Sequence, residues 1–318
     1  VTEPEAIVPT PIPVPAGDIL RARCLDDYVG QKKIKARLAV HIDAALKQGR
    51  MLDHVLLTGP PGYGKTTLAA LIADALGDPF AATTMPMKPA AFASFLRQWP
   101  GGVLFLDEIH RASKSQQEDL LGLLEDGVLR TASGRTIRIP HLTAIGATTE
   151  PENIIPPLYD RFVIKPMFEE YTESEMGSIV MSMGMMLGLD FDPELTVAIG
   201  NATGGTPRHA RQLVLAARDL SCTGQEVTLD AVLNLCGIEA DGLTAEHISY
   251  LETLSELGGQ GGLTILASML RLHPNVLMNL ERLLVKLGFI LYGPTGRELT
   301  QAGFNRVRKN APSLRRVG

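Results

Sequence analysis

Gly59-Pro60-Pro61-Gly62-Tyr63-Gly64-Lys65-Thr66 decides the architecture of this chain. The stretch follows a short apolar run, His54-Val55-Leu56-Leu57-Thr58, and precedes an apolar helical pattern over Thr66–Leu76. A buried strand, a glycine-rich turn and a helix in that order form a phosphate loop, G-x-x-x-x-G-K-[ST]. The glycines let backbone N–H groups turn inward around phosphate oxygens. The helix adds the partial positive charge of its N-terminus. Lys65 is expected to reach the β- and γ-phosphates of a nucleotide and the Thr66 hydroxyl to ligate Mg²⁺, with Thr67 next in the cradle.

Outward from the loop, Val103-Leu104-Phe105-Leu106 is a second continuous apolar run, and it ends in Asp107-Glu108. An acidic pair at a strand end fits a Walker B site. Asp107 would orient Mg²⁺ or its water, and Glu108 would polarise the attacking water. A third run, Leu142–Gly146, completes a set of strands without alternation, separated by helical patterns. That combination predicts a parallel sheet covered on both faces. Ahead of it, Ile34, Leu38, Ile42 and Leu46 recur at helical spacing between Asp26 and Gln48.

After Pro166 the patterns are helical only. Thr172-Glu173-Ser174-Glu175 is a capping box, while Asp192-Pro193 and Thr206-Pro207 open two further helices. From about Thr244 a short helix over Thr264–Leu270 and a longer one over Asn275–Leu287 follow. The longer helix carries Val276, Leu280, Leu283, Leu284 and Leu287, with Gly288 at its C-terminal end. Phe289–Tyr292, Gly293–Gly296 and Arg297–Thr300 then read strand, turn, strand. Helix–turn–helix and hairpin in this order predict a winged helix. The expected organisation is a proline-rich tail over 1–17, an α/β ATPase domain over 18–165, a small helical lid over 166–242 and a C-terminal winged helix over 243–318. The tail is either a linker or a docking segment.

Of the 318 residues, 45% are apolar, enough for real cores, and only 5% are aromatic, so those cores should be aliphatic. A formal net charge of -5 argues against a generally basic nucleic-acid coat but leaves local patches open. Cys24, Cys222 and Cys236 lack Cys-x-x-Cys spacing, and the seven histidines form no metal-ligand pair. No run approaches the roughly 18 apolar residues of a membrane span, and the first residues show no secretory leader pattern. The expectation is a cytoplasmic protein with no membrane association.

Leu25-Asp26-Asp27-Tyr28-Val29-Gly30-Gln31, the phosphate loop, Leu106-Asp107-Glu108-Ile109-His110-Arg111 and Ile145-Gly146-Ala147-Thr148-Thr149 together resemble the RuvB family of AAA+ Holliday-junction branch-migration motors. The likeness runs from about Leu20 to Phe304. It implies that Thr149 senses the γ-phosphate, with Thr148 as the second candidate. By the same resemblance Arg161, in Leu158-Tyr159-Asp160-Arg161-Phe162, is an arginine finger entering a neighbouring subunit's ATP. Gly205-Thr206-Pro207-Arg208 resembles the second sensor, and Tyr28, Val29 and Tyr171 the residues around adenine. Read singly, Arg161 is also a surface salt-bridge partner for Asp160, and Tyr28 and Tyr171 are also core aromatics. The methionines of Met176–Met186 read as lid packing, and His110 as a non-catalytic neighbour of Walker B.

The sequence departs from the family pattern in two places. The wing turn keeps one arginine, Arg297, as a DNA-backbone contact, with Thr295 where the family has another. Arg306, Arg308, Lys309, Arg315 and Arg316 form either a DNA patch or a solvated end. Gly127–Ala144 is shorter than the family's hairpin, with a small polar tip over Thr131–Arg135, which puts dependence on a RuvA-type partner in doubt. The leading expectation is a ring-forming, hexameric, ATP- and Mg²⁺-dependent motor acting on four-way-junction or duplex DNA. The rivals are an AAA+ protein remodeller or loader and a nucleotide-controlled DNA-binding regulator.

Overall fold

The computed structural model describes residues 20–131, 134, 136–239, 241–294 and 296–310. The proline-rich tail, Ala132, Ser133 and Arg135 of the hairpin tip, Thr295, Arg315 and Arg316 lie outside the described residues. The chain divides into two compact units. One runs to Gly200 and adds Gly205–Arg211; the other comprises Asn201–Gly204 and the chain from Gln212 onward.

The first unit holds α1 (Lys32–Gln48), β1 (Val55–Thr58), α2 (Lys65–Leu76), β2 (Phe80–Thr84), α3 (Pro89–Gln98) and β3 (Gly102–Asp107). It continues through α4 (Lys114–Asp126), the hairpin β4 (Val128–Arg130) and β5 (Thr136–Arg138), β6 (Leu142–Thr148), α5 (Pro156–Arg161) and α6 (Glu173–Met186). The helices α7 (Pro193–Ala202) and α8 (Pro207–Cys222) each contribute residues to both units. The sheet order is β1-β6-β3-β2, all parallel. All seven residues of β6 are buried, as a central strand without alternation should be. Cutting such a strand's aliphatic residues to alanine costs about 2–5 kcal/mol each.

Two sheet elements escape the periodicity reading. The strand β2 alternates between buried and half-buried residues because it lies at the sheet edge. At the opposite edge the segment 163–168 runs parallel to β1, with Leu56 N–H donating to Ile164 O at 2.8 Å and Thr58 N–H to Pro166 O at 3.1 Å. The sheet therefore continues past residue 165, to Phe168. In α1 the inward row is Ile34, Leu38, Ile42 and Ala45, and Leu46 is exposed. A step of three residues after Ile42, rather than four, stays on the buried face.

The second unit holds α9 (Leu229–Cys236), α10 (Ala245–Glu256), β7 (Gln260–Gly261), α11 (Leu263–Leu270), α12 (Pro274–Lys286), β8 (Ile290–Gly293), β9 (Gly296–Leu299) and α13 (Gln301–Asn310). Its antiparallel sheet has the order β7-β9-β8, and its core gathers Leu243, Tyr250, Leu254, Leu266, Leu277, Leu284, Ile290 and Leu299. The inward face of α12 is Leu277, Leu280, Glu281 and Leu284; Val276 and Leu287, expected inside, are exposed. The sequence reading missed this register because Glu281, a carboxylate, occupies a core position. Helix, helix and hairpin nevertheless follow in the expected winged-helix order.

Candidate functional site

The site begins at the C-terminal ends of β1 and β3. In the register, β6 lies between them, pairing Leu57 with Ala147 and Leu106 with Gly146. Thr148 and Thr149 therefore emerge between the phosphate loop and the acidic pair. One sheet edge thus gathers Lys65, Asp107, Glu108 and Thr149 from three stretches of sequence.

The loop itself is built on close approaches. Gly64 has φ +90°, and a Cβ there would meet the Tyr28 hydroxyl at 2.6 Å; one on Gly62, at φ +82°, would meet Arg208 Cβ at 3.0 Å. Both positions need glycine for conformation and for space. Lys65 is buried, its ammonium donating to Gly59 O at 2.7 Å and Pro60 O at 2.9 Å across the loop. The Lys65 ammonium is thus held over the loop formed by Gly59, Pro60, Pro61, Gly62, Tyr63 and Gly64. Thr66 and Thr67 sit half-buried in the first turn of α2.

Asp107 has its carboxyl pushed up by burial and by the neighbouring charge of Glu108, with Lys65, the Glu108 N–H and Arg208 opposing. A carboxylate whose ionisation is resisted by burial and by a neighbouring charge, as that of Asp107 is, is relieved by a cation. Asp107 with the Thr66 hydroxyl is a donor set of hard oxygens, which suits Mg²⁺ together with phosphate oxygens. Glu108 adopts φ +51°, the left-handed region, uncommon for a side chain of this kind and characteristic of functional positions. That backbone turns its carboxylate to within 3.3 Å of His110 Nε2 and 3.6 Å of Arg111 Nε. His110 is not a bystander: its side chain is only 5% exposed, and its Nδ1 bonds the Thr148 hydroxyl at 3.0 Å.

Arg208 comes to the phosphate loop from the first turn of α8, close enough to Gly62 and Asp107 to act on both. Arg161, the last residue of α5, pairs with Glu125 of α4, not with its neighbour Asp160. It remains half exposed, so it faces away from this chain's own core. Thr149 is half-buried beside Thr148, whose hydroxyl already serves His110 and the Glu150 N–H.

Tyr28 and Tyr171 are both buried, and both phenols donate to Tyr63 O, at 3.2 and 3.0 Å. They brace the phosphate loop from behind. Beside them a cavity of about 80 Å³ is lined by Tyr28, Val29, Thr67, Tyr171, Met183 and Pro207, among others. It joins the three expected adenine contacts to the second-sensor helix. Met183 and Met186 of α6 also line it. Gln31 was missed: its amide donates to Glu169 O at 2.7 Å and accepts the Glu169 N–H at 3.0 Å, fixing the segment that carries Tyr171. No spacing rule marks such a side-chain clamp.

In the second unit, Arg297 is not a free phosphate ligand. Its side chain is 16% exposed and bound by both oxygens of Glu281, at 2.8 and 3.0 Å. Arg306 is likewise engaged, pairing with Glu239 and, at 2.8 Å, with Asp241. Arg308 and Lys309 lie in the last turn of α13. Among the described residues no group of histidine, cysteine and acidic side chains forms a metal cluster, and no helix is long and apolar enough to cross a membrane. All three cysteines are unpaired, and Cys24 and Cys222 are exposed, so these two are not core thiols.

A phosphate loop, an acidic strand end, a buried strand inserted between them that ends in threonines and a closing winged helix define a nucleotide-binding P-loop ATPase of the AAA+ type. Residues 20–168 match the family described as the Holliday junction DNA helicase RuvB P-loop domain, and residues 240–308 the RuvB C-terminal winged helix domain. The chain belongs to the RuvB family. It is 38% identical over 306 residues to the Holliday junction branch migration complex subunit RuvB of Synechococcus sp. strain CC9311, covering 90% of this chain and 85% of that protein. The corresponding subunit of Synechococcus sp. strain WH7803 is 36% identical over 305 residues, covering 90% and 84%. The solved Thermotoga maritima RuvB Holliday junction branch migration motor superposes with a TM-score of 0.81 at 32% identity, covering 92% of this chain and all of that one. The β4–β5 hairpin is present, and these relatives are named as subunits of a complex. Its shortness is no ground for doubting a RuvA-type partner, and that expectation is withdrawn.

Proposed function

We propose that this chain is a branch-migration motor that hydrolyses ATP to move four-way-junction or duplex DNA, assembled as a hexameric ring. The placement of β6 between β1 and β3 carries the reading. In that reading Lys65 would bind the phosphates, Asp107 and Thr66 would hold Mg²⁺, Glu108 would polarise the attacking water and Thr149 would sense the γ-phosphate. When bound, Mg²⁺ would neutralise charge on the phosphate oxygens. Tyr28, Val29, Tyr171 and Pro207 would hold adenine in the cavity beside the loop. Arg208, anchored on α8, would read the nucleotide from the lid.

Arg161, half exposed and paired with Glu125, would complete a neighbouring subunit's site. An arginine in that role stabilises charge on the transferring phosphoryl group, an effect of about 10³-fold or more in related switches. The chain is best divided functionally into an ATPase domain, a helical lid over about 166–242 and the winged helix. DNA contact would come from the winged helix through groups other than Arg297, and a RuvA-type loader fits the complex in which the relatives are named.

The test is ATP turnover with and without a four-way junction. Stimulation by the junction, lost in Glu108→Gln, supports the motor. Turnover indifferent to both junction and duplex DNA would instead favour a protein remodeller or a nucleotide-controlled regulator.

A further inference from the structure

His110 lies between two groups that the ATPase must coordinate. Its Nδ1 is 3.0 Å from Thr148 Oγ1 at the end of β6, and its Nε2 is 3.3 Å from Glu108 Oε2 and 3.9 Å from Glu150 Oε1. Thr148 Oγ1 in turn accepts the Glu150 N–H at 2.9 Å. The imidazole is almost fully enclosed, so it has little freedom to turn away. The carboxylates of Glu108 and Glu150 facing Nε2 call for an N–H at that nitrogen, while Nδ1 pairs with the Thr148 hydroxyl. A continuous polar chain runs from the Glu150 backbone through Thr148 and His110 to the Glu108 carboxylate.

We propose that His110 is a positioning residue: it ties the carboxylate of Glu108 to the end of β6, so that a shift at Thr148–Glu150 redirects Glu108. The inference rests on the reading of Glu108 as the group that polarises the attacking water. Glu108 needs such a tether because, with its left-handed backbone at the strand end, the other charged group steering its side chain among the described residues is Arg111, at 3.6 Å and half exposed. Misplacing a catalytic carboxylate by about 1 Å can cost up to roughly 100-fold in rate.

The experiment measures steady-state ATP hydrolysis by the full chain with four-way-junction DNA, alongside binding of a fluorescent ATP analogue as a check on folding. His110→Ala is expected to lower kcat by about 10- to 100-fold with KM and analogue binding unchanged. His110→Gln, which can present an N–H toward Glu108, should restore part of kcat. Thr148→Val should lower kcat in the same direction, with an effect not additive to that of His110→Ala. Unchanged kcat in His110→Ala, or fully additive effects, would overturn the tether while leaving Glu108 in place. A His110→Ala protein that no longer binds the analogue would show a role in folding instead, and would equally overturn it. Glu108→Gln separates the two failures: if that variant turns over normally, the reading of Glu108 itself is wrong.

Discussion

Arg297 and Glu281 form a two-point ion pair in the core of the winged helix, Nε to Oε1 at 2.8 Å and Nη2 to Oε2 at 3.0 Å. The carboxylate is fully buried and also accepts the hydroxyls of Tyr250, at 2.8 Å, and Tyr292, at 3.0 Å. The Glu281 bond is the largest cause of the raised pKa of Arg297, and burial is the largest cause of the raised phenol of Tyr250. The arginine expected at the DNA backbone is thus already engaged within the wing.

Removing one partner of a buried pair leaves the other uncompensated, at about 3–5 kcal/mol. Glu281→Ala is therefore expected to destabilise the winged helix by roughly that amount, read by thermal or denaturant unfolding. Arg297→Gln should act in the same direction. In the folded protein it should leave the salt dependence of DNA binding unchanged. A drop of about one in the log–log salt slope would instead mark Arg297 as a phosphate contact.

The phenols on Tyr63 O give a second prediction. Tyr171→Phe removes one donor while Tyr28 still serves the carbonyl, a loss of about 0.5–1.5 kcal/mol. The Tyr28→Phe/Tyr171→Phe pair leaves that carbonyl without either donor. It should cost more than the sum of the single changes, up to about 3 kcal/mol further. The readouts are unfolding and the dissociation constant for ATP, since the braced loop is the phosphate cradle. Additive, small effects would mean that the loop holds its shape without the tyrosines.

What the sequence made legible follows from locality. The phosphate loop and Asp107-Glu108 are contiguous motifs bounded by strands, so composition and spacing expose them. Arg208 was placed by resemblance, and the structure brings it to Gly62. The partner of Arg297 was not legible, because Glu281 is sixteen positions away on a helix face, inside a run that reads as amphipathic. The pairings of His110 and Gln31 were hidden for a similar reason: each joins a side chain to a strand or segment distant in sequence, which leaves no periodic trace. The edge strand β2 and the segment 163–168 lack the continuous apolar runs that mark the central strands.

Arg161 yields a third prediction. Its pair with Glu125 is partly exposed on both sides and worth about 0–1 kcal/mol, so exchanging it for a neighbour's phosphate is energetically open. Glu125→Ala should change stability little and leave ATP turnover intact or raised. Arg161→Ala and Lys65→Ala subunits should each be inactive alone. Mixed, they should recover activity, because one supplies an intact phosphate loop and the other the finger. No recovery at any ratio would count against a shared site.

His54 fixes the expected acid response of the ATPase unit. Its Nδ1 accepts the Ala144 N–H at 3.0 Å, and its Nε2 lies 3.0 Å from Leu124 O, a pairing that requires the proton on Nε2. A second proton would have to enter at Nδ1, against an N–H donor. Burial lowers the imidazole's pKa, only partly offset by the Leu124 carbonyl and Asp53. The folded chain therefore holds His54 neutral, while the unfolded chain protonates near its ordinary value of about 6.5. This contribution to stability is fully present above that pH and is lost as pH falls through it toward the depressed folded value. The melting temperature should drop between about pH 7.5 and pH 5.5, and a His54→Gln variant should show a shallower decline from a lower starting point. Parallel declines in the two proteins would assign the acid sensitivity to other groups.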